Sequence, residues 1–280
     1  MVGGEVGSSE VTFYPSKPKA TQLRVDMKTA ASITLALQAV VPAIALSGIR
    51  LTLSLVGGTD VPWSPPFDYF AAVAGRGFGI LGIEFRAACS RRGYYPRGGG
   101  LVECTIEPSS GIRSLTLLER PQQTPVRVES RCAQLPRHVA ERQASLAEST
   151  LKSRGVTSLE TVVTEEAAES PGSSLVVSSV GEGYALGGDS IGSKGKRAEE
   201  VGSEGAEAFL QEFVTGSCLD SSIADMLAPL LALAPGKSTV RISRVTTHLT
   251  TSLHVAELFQ SFSYSFRQEA QSTVLIVGAT

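Results

Sequence analysis

The stretch Gly48-Ile49-Arg50-Leu51-Thr52-Leu53-Ser54-Leu55-Val56 decides the fold. Ile49, Leu51, Leu53 and Leu55 alternate with Arg50, Thr52 and Ser54, the period of a strand with one buried face. Upstream, Ala31, Leu35 and Ala39 recur at helical spacing, with Thr29 and Ser32 near the start, and predict a helix over 28–40. Before it, Val11 to Tyr14 alternates and stops at Pro15, which predicts a first strand. Downstream, Gly57-Gly58-Thr59-Asp60 reads as a turn. Pro66 suits the first turn of a helix over 67–74. Strands are predicted over 82–87 and 101–106, so the order is β-α-β-α-β-β.

The C-terminal end repeats that order. A strand is predicted over 125–131 and an amphipathic helix over 219–233, with Ile223, Met226, Leu227 and Leu230 on one face. A strand over 238–246 and a helix over 250–260 follow, with Thr250, Thr251 or Ser252 as N-cap. Two strands over 261–266 and 272–277 close the chain. Between the first strand and first helix of this unit lies an insertion, 133–216. Its helices are predicted over 136–153 and 196–214, and its short strands near 160–163, 174–180 and 184–187. The segments 165–173 and 187–195 are polar and rich in Gly and Ser, and read as exposed. The fold class is therefore α/β (α+β). Repeated units form a core over 1–132 and 217–280, and a smaller α/β subdomain is inserted over 133–216.

Composition narrows the function. With 25 basic and 27 acidic side chains the net charge is -2, so nucleic acid cannot be held by bulk electrostatics and needs a local patch. An apolar fraction of 42% supplies a sizeable core. The run Thr34 to Leu46 is shorter than the ~20 residues of a membrane span and holds Gln38 and Pro42. No basic segment followed by an apolar one opens the sequence as a secretory signal would. Cys89, Cys104, Cys132 and Cys218 form no C-x-x-C pair and read as reduced thiols of an intracellular protein. The histidines His138, His248 and His254 have no zinc-site spacing.

Three segments could carry chemistry. His248 stands where a strand gives way to a helix, among Thr246, Thr247, Thr250 and Thr251. Free N–H groups and the helix dipole stabilise phosphate there, and a histidine can act as nucleophile or base. The alternative is a hydrogen-bonded turn histidine. In the loop 91–100, Arg91, Arg92 and Arg97 surround Tyr94 and Tyr95 ahead of Gly98-Gly99-Gly100. Arginines contact phosphates and aromatic rings stack on unpaired bases, so this is an RNA-binding candidate. The alternative is a solvated basic hairpin tip. The turn at Gly57–Asp60 with Pro65 and Pro66 beyond it could wall a cleft, or simply join strand to helix. Lys194, Lys196 and Arg197 offer a secondary RNA contact.

Taken in order, these segments resemble the RNA 3'-terminal phosphate cyclase family. The stretches that carry the resemblance are Gly7–Phe13, Thr29–Ser32 with Leu37, Gln38 and Pro42, Gly57–Asp60 through Trp63-Ser64-Pro65-Pro66 and Asp68, Arg92 to Gly100, and His248-Leu249-Thr250-Thr251. Arg92-Gly93-Tyr94-Tyr95-Pro96-Arg97-Gly98-Gly99-Gly100 is the most specific. The resemblance implies β-α-β-α-β-β units with an inserted α/β subdomain. It also implies a ligase that uses ATP and a divalent metal, Mg²⁺, to turn an RNA 3'-phosphate into a 2',3'-cyclic phosphate through a covalent His-AMP. His248 matches the nucleophile, and Gln38, Pro65 and Asp225 match residues lining the nucleotide pocket. Metal ligands stay unassigned. A nucleoplasmic setting is implied in a eukaryote and a cytoplasmic one in a prokaryote.

The sequence departs from the family at Ser222 and Met226, where the family has a Tyr and a Gln. The ring's stacking surface and the amide's hydrogen bonds are lost, at about 1–3 kcal/mol for unpaired partners. The family's opening unit, with a Glu-Gly-Gly-Gly-Gln signature, is not among the matching stretches. An apolar face is therefore expected near the first strand and helix. These departures keep a second reading open, a non-catalytic cyclase-like RNA-binding factor in ribosomal RNA processing. An enolpyruvyl-transferase-like enzyme is weaker, because its basic substrate-binding residues have no recognisable counterparts.

Overall fold

The computed structural model of the protein describes residues 1–16 and 18–278. Its elements begin with β1 (Gln22–Asp26), α1 (Ile33–Leu46), β2 (Leu51–Gly57) and α2 (Phe67–Tyr69). From α2 the chain passes through a π-helical turn (Phe70–Ala74) into α3 (Gly75–Ile80), β3 (Phe85–Arg91), β4 (Gly100–Ile106) and β5 (Thr116–Leu117). Next come β6 (Val126–Ala133), α4 (His138–Ser153), β7 (Leu159–Glu165), β8 (Gly172–Gly181), β9 (Tyr184–Ile191) and α5 (Ala198–Phe213). The chain ends with α6 (Ser221–Leu231), β10 (Ser238–Ile242), α7 (Thr247–Glu257), β11 (Ser263–Gln268) and β12 (Thr273–Gly278).

Two sheets share one topology, β1-β2-β4-β3 and β5-β10-β12-β11. In each, the first pair is parallel and the other two are antiparallel. This is the repeated unit read from the sequence. The third sheet, β7-β6-β8-β9, belongs to the insertion. The strand expected over 125–131 is β6, and it lies inside the insertion's sheet, between β7 and β8. Its expected place in the second unit is taken by the two-residue β5.

The alternating stretch folds as its pattern demands. Leu51, Leu53 and Leu55 are buried and Thr52 and Ser54 are half-buried. In α1, Ile33, Leu37, Val41 and Ala45 recur every four residues and all are buried. The helix starts later than predicted because Ser32 is the N-cap and accepts the Leu35 N–H. Pro42 sits within α1 and lacks an N–H, so the Gln38 carbonyl loses its helical donor. The expected strand at Val11 to Tyr14 does not form. Thr12 makes only an isolated bridge to Val2, and Val11, Phe13 and Tyr14 are exposed. The pattern is present, but no sheet edge meets it, and the first strand is β1. The segment 187–195 also departs from expectation. Gly187 to Ser190 continues β9 and is largely buried, because Gly188 lets the backbone of Phe209 approach where a Cβ would lie 2.1 Å from its nitrogen.

One apolar core runs through both units, joining Leu53, Phe70 and Val102 to Ile223, Val240 and Leu275. The insertion has its own, around Val126, Leu175, Leu186 and Phe209. Leu219 bridges β9 and β10 and so links the two sheets. Near β1, β2 and α1 an apolar groove of about 330 Å³ is lined by Leu23, Val25, Met27, Ala36, Val40 and Ile44. An apolar face was expected in this region. No helix among the described residues is long and apolar enough to cross a membrane.

A buried ionic network fastens the insertion to the core. Arg92, only 2% exposed, reaches Asp60 (3.2 Å), Asp68 (2.8 Å) and Glu166 (2.9 Å). Arg131 on β6 meets Asp68 at 2.6 Å, Glu129 at 3.0 Å and also Glu166. Burial alone would raise the Asp68 carboxyl, but the charges of Arg92 and Arg131 override it and hold Asp68 below its ordinary 3.8. A depressed acid gives stability that is complete above the unfolded value and is lost as pH falls through the folded one. The urea midpoint should therefore drop as pH falls below about 4. Arg92→Leu leaves Asp60 buried without a cation and Asp68 with Arg131 alone, and should cost about 3–5 kcal/mol of unfolding free energy. Urea denaturation at neutral pH measures it, and a loss under about 1 kcal/mol would mean the network carries no net weight.

Candidate active site

A cleft of about 420 Å³ opens where core and insertion meet. One wall is Pro62, Trp63, Ser64 and Pro65, with Tyr69 behind; another is Ser222 and Met226 of α6; the insertion adds Asp189, Ser190, Lys196 and Glu204. Each wall is pinned by buried hydrogen bonds. Thr34 of α1 donates its hydroxyl to the Pro65 carbonyl at 2.8 Å. Asp220 is the N-cap of α6 and accepts from the Ile223 N–H, the Gly187 N–H and the Tyr69 hydroxyl, at 2.8, 2.8 and 2.9 Å. One carboxylate thus holds α6, β9 and α2 together. Burial, with the Glu212 charge adding to it, pushes Asp220 up to about 7 against the pull of those three donors.

Of the nucleotide-pocket residues suggested by the sequence, Pro65, Ser222 and Met226 line the cleft. Gln38 lies one helical turn beyond Thr34, half-buried on the same side of α1. Asp225 and His248 form a second group beside the cleft. His248 is exposed on the first turn of α7, and Thr246, not Thr250, Thr251 or Ser252, is the N-cap. The Thr246 hydroxyl accepts the Leu249 N–H at 2.9 Å and donates to Asp225 at 2.5 Å. Burial raises the Asp225 carboxyl, opposed by the Thr246 hydroxyl, His248 and Arg244. Asp225 precedes Met226 on α6, so a single side chain connects the cleft wall to the histidine-bearing turn. The N–H groups of Thr247 and His248 have no carbonyl four residues back within the helix. They give that turn the donors and partial positive charge that suit a phosphate.

The loop 91–100 is mostly structural. Arg92 is enclosed by Asp60, Asp68 and Glu166, and Tyr94 is buried, so neither reaches nucleic acid. The Tyr94 ring occupies the space where a Cβ on Gly172 would be, 2.1 Å away. Arg91 is half-buried, donating to the Gly99 carbonyl at 2.6 Å and pairing with Glu169 at 3.1 Å. Tyr95 and Arg97 are exposed. The glycines serve the protein's own backbone: a Cβ at Gly93 would lie 2.2 Å from the Gly57 carbonyl oxygen. Lys196, read as an RNA contact, is tied to Glu204 and to Ser190 (3.0 Å) inside the cleft. His254 and His138 are exposed, His254 3.8 Å from Glu257. All four cysteines are free. Among the described residues no cluster of three or more His, Cys, Asp or Glu side chains could hold a metal ion.

Two cleft residues escaped the sequence reading as site residues. In the sequence Trp63 stands out only within the Trp63-Ser64-Pro65-Pro66 motif, and Asp189 only within the polar, Gly- and Ser-rich segment 187–195. Burial, with the Asp60 charge adding to it, pushes Asp189 up to about 6.

A family model described as RNA 3'-terminal phosphate cyclase matches residues 1–266. Proteins of that name from several organisms are similar to this chain. The Pyrococcus furiosus protein is 42% identical over 259 residues, covering 92% of this chain and 74% of the relative. The Ignicoccus hospitalis protein is 40% identical, with 92% and 74% covered. The Methanopyrus kandleri protein is 40% identical over 272 residues, with 95% and 77% covered.

Asp189 gives the cleft a pH response. Its carboxylate repels a polyanion above its pKa of about 6 and stops doing so once protonated. Affinity for a polyanion such as inorganic tripolyphosphate is expected to rise as pH falls from 7.5 to 5.5, and Asp189→Asn should flatten that slope. Titrations at both pH values check it, and an equal slope in the variant removes Asp189 as the cause.

Proposed function

The chain belongs to the RNA 3'-terminal phosphate cyclase family, and we propose that it converts RNA 3'-phosphate ends to 2',3'-cyclic phosphates with ATP through adenylylated His248. One observation carries this reading. His248 stands on a helix N-terminal turn whose cap hydroxyl bonds Asp225, next to Met226 of the cleft.

A ring nitrogen of His248 attacks the α-phosphorus of ATP, and the bond to pyrophosphate breaks. An oxygen of the RNA 3'-phosphate then attacks the same phosphorus, and the P–N bond breaks. The neighbouring 2'-hydroxyl finally attacks the 3'-phosphorus, loses its proton and displaces AMP. Adenylation is needed because a phosphate monoester is a poor electrophile, and covalent catalysis divides the difficulty into steps. The N–H groups at the start of α7 take up the negative charge that develops beside His248. Pro65, Ser222 and Met226 line the nucleotide's cleft, with Gln38 nearby on α1. Mg²⁺, when bound, would neutralise charge on the phosphates. Tyr95 and Arg97 are the loop residues free to meet RNA. RNA processing inside the cell is the setting this chemistry implies.

With α-labelled ATP and Mg²⁺ the protein should acquire acid-labile label. His248→Ala should lose at least 99% of it, while the exposed His254→Ala keeps it. Equal labelling of His248→Ala would remove the histidine from the mechanism. An unlabelled protein that still binds RNA ends would favour the non-catalytic RNA-binding reading.

A further inference from the structure

We propose that Trp63 is the stacking surface for the adenine base of the nucleotide, standing in for the ring that Ser222 does not provide. The inference rests on the proposed use of ATP and adds to it the residue that grips the base.

Trp63 is the sole tryptophan of the chain. It is 98% exposed, yet it is held at the edge of the cleft that Pro65, Ser222 and Met226 also line. Its backbone sits at φ 63, a left-handed conformation that a bulky side chain rarely adopts. Its surroundings impose that conformation. Pro62 precedes it, the Ser64 hydroxyl donates to the Val61 carbonyl at 3.0 Å, and the Pro65 carbonyl accepts from Thr34. A strained backbone opposes folding, and an indole that stays in water gains no burial to offset it. Strain of this kind is stored at functional sites.

The rest of the lining explains what the ring is for. Ser222 and Met226 offer no flat π face. Tyr69 is the other aromatic residue of the cleft, and it is buried with its hydroxyl bound to Asp220. Trp63 is therefore the lining aromatic with its faces open. A purine is a flat π system, and an aromatic platform recognises it without hydrogen-bond readout. Lys196, the cation of the lining, is paired with Glu204 and bonded to Ser190, so the cleft has few alternative means of holding a base.

The single tryptophan makes the test direct on the full chain. ATP should quench Trp63 emission, and inorganic tripolyphosphate, which has no base, should not. Trp63→Ala should weaken ATP binding by about tenfold and leave tripolyphosphate binding unchanged, whereas Trp63→Phe retains most of the affinity. In the labelling reaction the loss should fall on KM for ATP rather than on kcat. Thermal unfolding of Trp63→Ala should be no lower than that of the parent, because the ring packs against little. Unchanged ATP affinity in Trp63→Ala with no emission response overturns the proposal. So does emission that responds to an RNA 3'-phosphate oligonucleotide and not to ATP. Quenching by ATP without label on His248 keeps Trp63 and removes the histidine mechanism. Label on His248 with unaltered emission and KM does the reverse, and no ATP binding at all removes both.

Discussion

A guanidinium buried to 2% exposure constrains everything around it. Removing Arg92 from water is tolerable only if carboxylates surround it closely, and the chain supplies them from three places. Asp60 follows β2, Asp68 lies in α2, and Glu166 follows β7 in the insertion. Arg131 from β6 closes the arrangement by sharing Asp68 and Glu166. Such a network is weak evidence of net stability, since desolvation cancels much of the attraction. Its consequence here is geometric. With Asp60 and Asp68 both fixed, the seven-residue stretch between them has few conformations left, and Pro62 to Pro65 in that stretch form a wall of the cleft. Lysine could not replace Arg92, because one ammonium cannot present a planar fork to three carboxylates.

Where burial on one face writes a period into the chain, the fold was legible. The alternation at 48–56 returned as a buried face, and the helix at α1 formed, but its buried face is Ile33, Leu37, Val41 and Ala45, while the Ala31, Leu35 and Ala39 set read from the sequence is exposed. Elements without such a face were illegible. β1 is exposed at four of its five positions and β5 is two residues long, so neither carries a period. The reverse error occurred at Val11 to Tyr14, where alternation exists without a strand partner. A pattern states which face could be buried, and only a neighbour decides whether it is.

The site divides along similar lines. His248 was legible because a histidine between a strand and a helix is chemically conspicuous. Its cap was misplaced by a run of threonines in which any of four could serve, and contact with Asp225 singled out Thr246. The arginine-rich loop misled because composition does not distinguish a solvated arginine from a buried one. The missing signal was the acids: Asp60 and Asp68 flank an apolar, proline-rich stretch and need a cation. Asp189 and Trp63 were hidden for a further reason, since their role depends on the insertion closing against the core.

Cleft electrostatics also bear on how a nucleotide would lie there. Lys196 is paired with Glu204, so its charge is spent locally, and Asp189 adds a further carboxyl on the insertion side. Three phosphates placed against that side would meet Glu204 and, above pH 6 or so, an ionised Asp189. At the α7 end they would meet open N–H groups and the positive end of the helix dipole, with His248 beside them. Charge alone therefore favours phosphates toward α7 and leaves the base toward the Pro62–Pro65 wall. That orientation sets the α-phosphorus near the histidine and the purine near the exposed indole. The proposed chemistry and the proposed grip on the base thus require the same pose.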